Sequence, residues 1–139
     1  MGRLPGWEKK LSDWHVACAG TAFVWGQSDC CLTACDGLQA ITGIDPASGF
    51  RGRYKTLRGA YRALKRFGGG GLRETAQKIT DDLGWPSVPV LTARRGDVGL
   101  VPTDQGEALA ICLGARWVAQ GRGGLVYLPL KNGLCAWRV

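Results

Sequence analysis

Histidine is all but missing from this sequence: His15 is the single imidazole in 139 residues. Chemistry that needs a histidine as base or metal ligand must use that residue or do without. Long apolar runs are missing too. No stretch of about 18 apolar residues occurs, so no membrane-spanning helix is expected. The opening residues, Met1-Gly2-Arg3-Leu4-Pro5 before Trp7-Glu8-Lys9-Lys10, have no apolar h-region, and export through a signal peptide is not expected. No Cys-x-x-Cys knuckle is present, so no metal and no cofactor is assigned. The Gly68–Gly71 run is not followed by Lys-Ser/Thr and follows no strand, which excludes a phosphate-cradling loop. Acidic residues are scarce in one region. Nine Lys/Arg (positions 51, 53, 55, 58, 62, 65, 66, 73 and 78) lie between Arg51 and Lys78 against Glu74 alone.

What is present describes an ordinary globular chain. Apolar residues make up 45% and charged residues 21%. The length predicts one domain over 1–139, able to bury roughly two thirds of its unfolded surface without a staple. Six cysteines (18, 30, 31, 35, 112, 135) are an even number. Without an export signal a disulfide framework is not expected, and adjacent Cys30 and Cys31 do not both suit bridges. They read as small buried hydrophobes. The net charge of +7 is concentrated in the basic stretch, which suits an acidic protein surface, an anionic envelope polymer or nucleic acid, or else a solvated face. No helix-turn-helix, zinc-finger or RNA-binding signature accompanies it, so nucleic acid is the least expected partner.

Periodicity divides the chain into helices followed by strands. Trp7, Leu11, Trp14 and Cys18 repeat at helical spacing, with Pro5 placed near the first helical position. Asp29 is placed as the N-cap of a helix over 30–42, with Gly43 beyond its end and Asp45-Pro46 as a stop. Thr56 caps a helix with apolar positions Leu57, Ala60, Tyr61, Leu64 and Phe67. Its other face carries Arg58, Arg62, Lys65 and Arg66, the candidate binding face. Leu72, Ala76, Ile79 and Leu83 predict another helix, so residues 51–83 read as a basic helical insertion. Val98–Val101 (ended by Pro102), Ala108–Leu113, Arg116–Ala119, Leu125–Leu128 and Cys135–Val139 read as short strands of an antiparallel meander. The class is α+β, with N-terminal helices packed on a C-terminal sheet. Among the tryptophans, Trp25 and Trp137 are expected in the core, Trp7 and Trp85 at contacts with neighbouring proteins.

The chemistry gathers at Phe23-Val24-Trp25-Gly26-Gln27-Ser28-Asp29-Cys30. Cys30 falls at or near the first helical position, where unpaired N–H groups and the macrodipole favour an anion. A thiolate is expected to form there more easily than in a free cysteine. A cysteine so placed can serve as a nucleophile, provided a base lies within hydrogen-bond reach.

Three stretches, in order, resemble the NlpC-type cysteine peptidases of the papain-like superfamily: Phe23-Val24-Trp25-Gly26 with Asp29-Cys30, then Arg95-Gly96-Asp97-Val98, then Ala108-Leu109-Ala110-Ile111-Cys112-Leu113-Gly114. The resemblance implies a papain-like fold with Cys30 at the nucleophile position. It aligns the base, a histidine in those enzymes, with Ala108, and brings the third polar position near Ala119 or Gln120. Loss of a triad base costs several powers of ten in rate, so Cys30 is expected to be vestigial, with Asp29 as helix cap. The whole chain also resembles a family of uncharacterised phage and prophage proteins carrying Trp-Gly-x-x-Asp-Cys, Arg-Gly-Asp-Val and a final Trp-Arg-Val. That resemblance implies a structural component of a long-tailed phage tail tip, made in the host bacterial cytoplasm and placed in the virion beside other tail-tip or hub proteins. The alternative it leaves open is a tail-associated peptidoglycan endopeptidase using Cys30.

Overall fold

The structure is a computed structural model and describes residues 2–139. Among the described residues, four helices precede the main strands: α1 (Trp7–Ala19), α2 (Cys30–Thr42), α3 (Leu57–Gly68) and α4 (Leu72–Leu83). The strands are β1 (Ser87–Val88), β2 (Val98–Thr103), β3 (Gly106–Cys112), β4 (Arg116–Gly121), β5 (Gly124–Pro129) and β6 (Cys135–Trp137). They form one antiparallel sheet in the order β1-β6-β2-β3-β4-β5. The expected α+β class is borne out.

Local chemistry sets the helix ends. Asp29 Oδ1 accepts from Leu32 N at 3.0 Å, and Thr56 Oγ1 accepts from Gly59 N at 3.0 Å, as their cap roles require. Gly43 closes α2 at φ 80°, a left-handed conformation that suits glycine. The start of α1 differs from expectation. Gly6, at φ 73°, is its cap and Trp7 its first residue, so Pro5 lies one position further out.

Two strand expectations also change. Only β2 to β5 form a meander; β6 returns to the other edge of β2, pairing Val98 with Trp137 and Leu100 with Cys135. That edge is open after the hairpins close, and the lack of a side chain at Gly99 leaves room for the Trp117 ring and the Cys135 carbonyl. Pro102 does not end β2, which continues to Thr103 opposite Gly106. Because β6 covers β2 only as far as Leu100, the proline sits at an open edge, where a missing N–H breaks no ladder bond on that side.

The core lies between α2 and the sheet. Leu32, Cys35, Leu38 and Ile41 of α2 are buried with Leu109, Ile111 and Val118 of β3 and β4. Gly37 lets α1 and β3 approach α2 together, since a Cβ there would collide with the Trp14 ring and Ile111. Leu64, Ala76 and Ile79 belong to the same buried cluster, so residues 51–83 are built into the core rather than laid over it. A second cluster holds Val101, Ala108, Ala110, Cys112 and Ala119 around the fully buried Trp117. The six cysteines are free thiols, four of them buried. Trp7 and Trp85, expected at contacts with neighbours, are both half-buried against the core. The Trp7 ring lies under the guanidinium groups of Arg3 (4.3 Å) and Arg95 (5.9 Å). Trp137 is in the core as expected, whereas Trp25 is only half-buried.

Asp97, at the turn before β2, joins the two ends of the fold. Its fully buried carboxylate accepts from Arg3 Nη2 (2.8 Å), Val139 N (3.1 Å), Arg138 Nε (2.9 Å) and Arg94 N (2.8 Å). Charge-assisted bonds of this kind are the strong ones, and removing one partner strands the others. Asp97→Ala is expected to lower stability by about 3 kcal/mol or more. Urea denaturation monitored by tryptophan fluorescence measures it, and an unchanged midpoint would refute the role.

Candidate functional site

The turn before α2 is assembled from backbone bonds. Gln27 N and Ser28 N donate to the Val24 carbonyl at 3.0 and 2.9 Å, and Ser28 Oγ accepts from Val24 N at 3.0 Å. Gly26 turns the chain at φ 82°, and any Cβ there would strike the Tyr54 carbonyl oxygen. Asp29 is 1% exposed, yet its carboxylate is well supplied with donors. Besides Leu32 N, Oδ2 accepts from Gly26 N at 2.9 Å and from the Tyr54 hydroxyl at 2.7 Å. Asp29 is therefore more than a helix cap: it ties the turn, the helix start and the loop before α3 to one group. Burial, then the hydrogen bond to Asp29 and its charge, push the Tyr54 phenol well above its ordinary pKa, so it remains a donor.

Cys30 is the first residue of α2 and lies half-buried at a cleft of about 210 Å³. Its thiol does not behave as the helix end alone predicts. Burial, followed by the neighbouring Asp29 carboxylate, pushes its pKa up to about 11. Backbone N–H groups of Leu109 and Cys31 favour the thiolate but are outweighed. The magnitudes explain the sign. A helix end is worth about 0.3–1 kcal/mol, less than one pKa unit, whereas burial can shift a group by several units. The expectation of an easily formed thiolate is corrected on that ground.

The opposite wall comes from the sheet. Cys30 packs against the cluster holding Ala108 and Ala119, and both Cys30 and Ala108 line the cleft. The position that resemblance aligns with a catalytic histidine thus lines the same cleft as the thiol and carries only a methyl group. The β3–β4 ladder pairs Ile111 with Val118 and Cys112 with Trp117. Gln120 follows on β4 and lines the same cleft. Gln120 is 2% exposed; its Nε2 makes long bonds to the Thr21 and Gly121 carbonyls (3.4 and 3.3 Å), and its Oε1 has no donor among the described residues. His15 is elsewhere. Its Nε2 is 2.7 Å from the Tyr127 hydroxyl of β5, and it does not line the cleft. Burial, then the nearby Arg116 charge, lowers its pKa.

The candidate basic face borders the cleft without lining it. Leu57, Tyr61 and Leu64 of α3 form part of the wall, whereas Arg58, Arg62, Lys65 and Arg66 are exposed and line none of it. Of the predicted site residues, the structure brings Asp29 and Cys30 together and leaves the four cations as a separate surface. Tyr54 escaped the sequence reading, since nothing in a Gly/Arg-rich loop announces a bond to a residue 25 positions earlier. Among the described residues, no group of three His, Cys, Asp or Glu side chains converges to hold a metal.

Residues 2–139 match the model of a family described as a domain of unknown function, DUF6950. The chain belongs to this family. No curated protein matches it. For the DUF6950 chain, the thiol at the helix start predicts a measurable inertness. A shift from near 9 to about 11 leaves about a hundredfold less thiolate near neutral pH. Iodoacetamide is expected to label Cys30 at least tenfold more slowly than a free cysteine at about pH 7.5, with the rate rising until the pH approaches 11. Peptide mapping of the labelled protein by mass spectrometry measures it; fast labelling at neutral pH would contradict the site as described.

Proposed function

We propose that this chain is a catalytically silent relative of the NlpC-type cysteine peptidases that serves as a structural component of a long-tailed phage tail tip. One observation carries the silence. A protonated thiol at the start of α2 shares its cleft with Ala108 and finds no imidazole there, because the only histidine is bonded to Tyr127 outside the cleft. A cysteine nucleophile needs a base within hydrogen-bond reach and a group to orient that base. Here Gln120 stands near the orienting position with nothing to orient. The papain-like reading draws support from motif order: an Asp-Cys helix start, then Arg95-Gly96-Asp97-Val98 leading into β2, then β3 beginning near Ala108, with α2 packed on the antiparallel sheet. The tail-tip role rests on the likeness of Trp25-Gly26, Asp29-Cys30 and Trp137-Arg138-Val139 to phage and prophage proteins.

The experiment is deletion from the encoding phage or prophage, followed by electron microscopy of the particles. Loss of intact tail tips is expected, with full rescue by Cys30→Ala as well as by the natural sequence. Normal tails in the deletion would refute the structural role. Failure of Cys30→Ala to rescue, together with release of soluble fragments from purified peptidoglycan by the natural protein, would establish the peptidase reading instead. Restoring the missing group supplies a second test. Ala108→His places an imidazole beside the thiol and is expected to raise Cys30 alkylation at neutral pH by about tenfold. No change in rate would argue against the papain-like alignment of the two positions.

A further inference from the structure

We infer that the cleft beside Cys30 is a docking groove for an acidic peptide segment of a partner protein, anchored by an aromatic or large aliphatic side chain; this rests on the catalytically silent reading above. Size points to a peptide. At about 210 Å³ the cleft is smaller than the ~300–1,000 Å³ of typical small-molecule sites, and it suits one or two inserted side chains. Its wall is unfinished as a protein surface. Leu57 is 39% and Tyr61 64% exposed although both belong to the wall, with Leu64 and Trp25 deeper in. Exposed apolar side chains grouped at a concave site mark a place where something binds.

Charge selects the occupant. The Arg122 guanidinium stands at the groove, 5.4 Å from the Trp25 ring centre and 5.9 Å from that of Phe23. At about 100° per residue, Arg58 and Lys65 fall on the helical stripe beside Leu57 and Tyr61. Among the described residues, none of Arg58, Lys65 and Arg122 takes part in an ion pair. The carboxylates lining the groove are already engaged, Asp29 by its three donors and Glu107 by Arg73 at 2.9 Å. The rim therefore carries three cations without an ion-pair partner among the described residues, Arg58, Lys65 and Arg122, whereas the Asp29 charge, held by three neutral donors, is buried in the wall. A second copy of this chain, itself at net +7, would be repelled. Nucleic acid fits less well, because the chain carries no helix-turn-helix, zinc-finger or RNA-binding signature.

A yeast-displayed library of random peptides, sorted on the full chain, tests this. Enriched peptides are sequenced, synthesised with fluorescein and titrated by fluorescence anisotropy. Net-negative sequences containing an aromatic or large aliphatic residue are expected, with binding that weakens as salt rises. Tyr61→Ala and Arg122→Ala are each expected to weaken binding about tenfold or more, and Val16→Ser on the exposed face of α1 to leave it unchanged. Tyr61 and Arg122 are both exposed, so these variants are expected to fold, and circular dichroism checks it. An unenriched library, neutral or basic binders, or acidic binders indifferent to both substitutions would overturn the groove. So would a short single-stranded oligonucleotide that binds more tightly than any selected peptide and loses affinity in the same two variants. Mass spectrometry of the bound peptide separates the two claims. An intact peptide upholds both, whereas a peptide cleaved in the groove retains the docking site and refutes the silence.

Discussion

The Asp29 carboxylate is the constraint on which the site depends. It is buried, and a buried carboxylate is tolerated only when hydrogen bonds replace its water. Three donors from separate parts of the chain do so: the Gly26 amide in the turn, the Leu32 amide in the first turn of α2, and the Tyr54 hydroxyl from the loop before α3. Satisfying one residue therefore fixes the entry angle of α2 and the path of the chain toward the basic helix. It also fixes Cys30, the next residue, against the sheet. The same charge that organises the turn then works against ionising the thiol beside it.

This coupling separates scaffold from chemistry. The features that hold a thiol at a helix start are all present: a cap, a glycine turn and a helix packed on an antiparallel sheet. The features that would activate it are not. Burial outweighs the helix end, and the neighbouring β3 position offers a methyl group. The cleft keeps its concave shape beside a thiol that burial holds protonated, and the exposed cations of α3 are not among its lining residues.

How much was legible in the sequence follows from the range of each interaction. The caps at Asp29 and Thr56, the closing Gly43 and the hairpin strands are decided within a few residues, and each was readable. The α+β class followed from the change of period. What could not be read depends on partners far away in the chain. Asp97 looked like a turn residue because its arginines lie 94 and 41 positions off. The return of β6 to the free edge of β2 leaves no local mark, and the pKa of Cys30 depends on burial that exists only after folding. The helix-end argument was sound for an exposed helix and gave the wrong sign for a covered one.

The Asp97 junction has a mechanical consequence. Arg3 and Arg138 grip one carboxylate, so tension applied across those two residues meets the ion pairs before it reaches the helices or the sheet. Force is short-circuited across a few ångströms, and the body of the fold bears load only after that clasp opens. Tension between Arg3 and Arg138 is thus carried first by a junction that includes none of the residues lining the cleft.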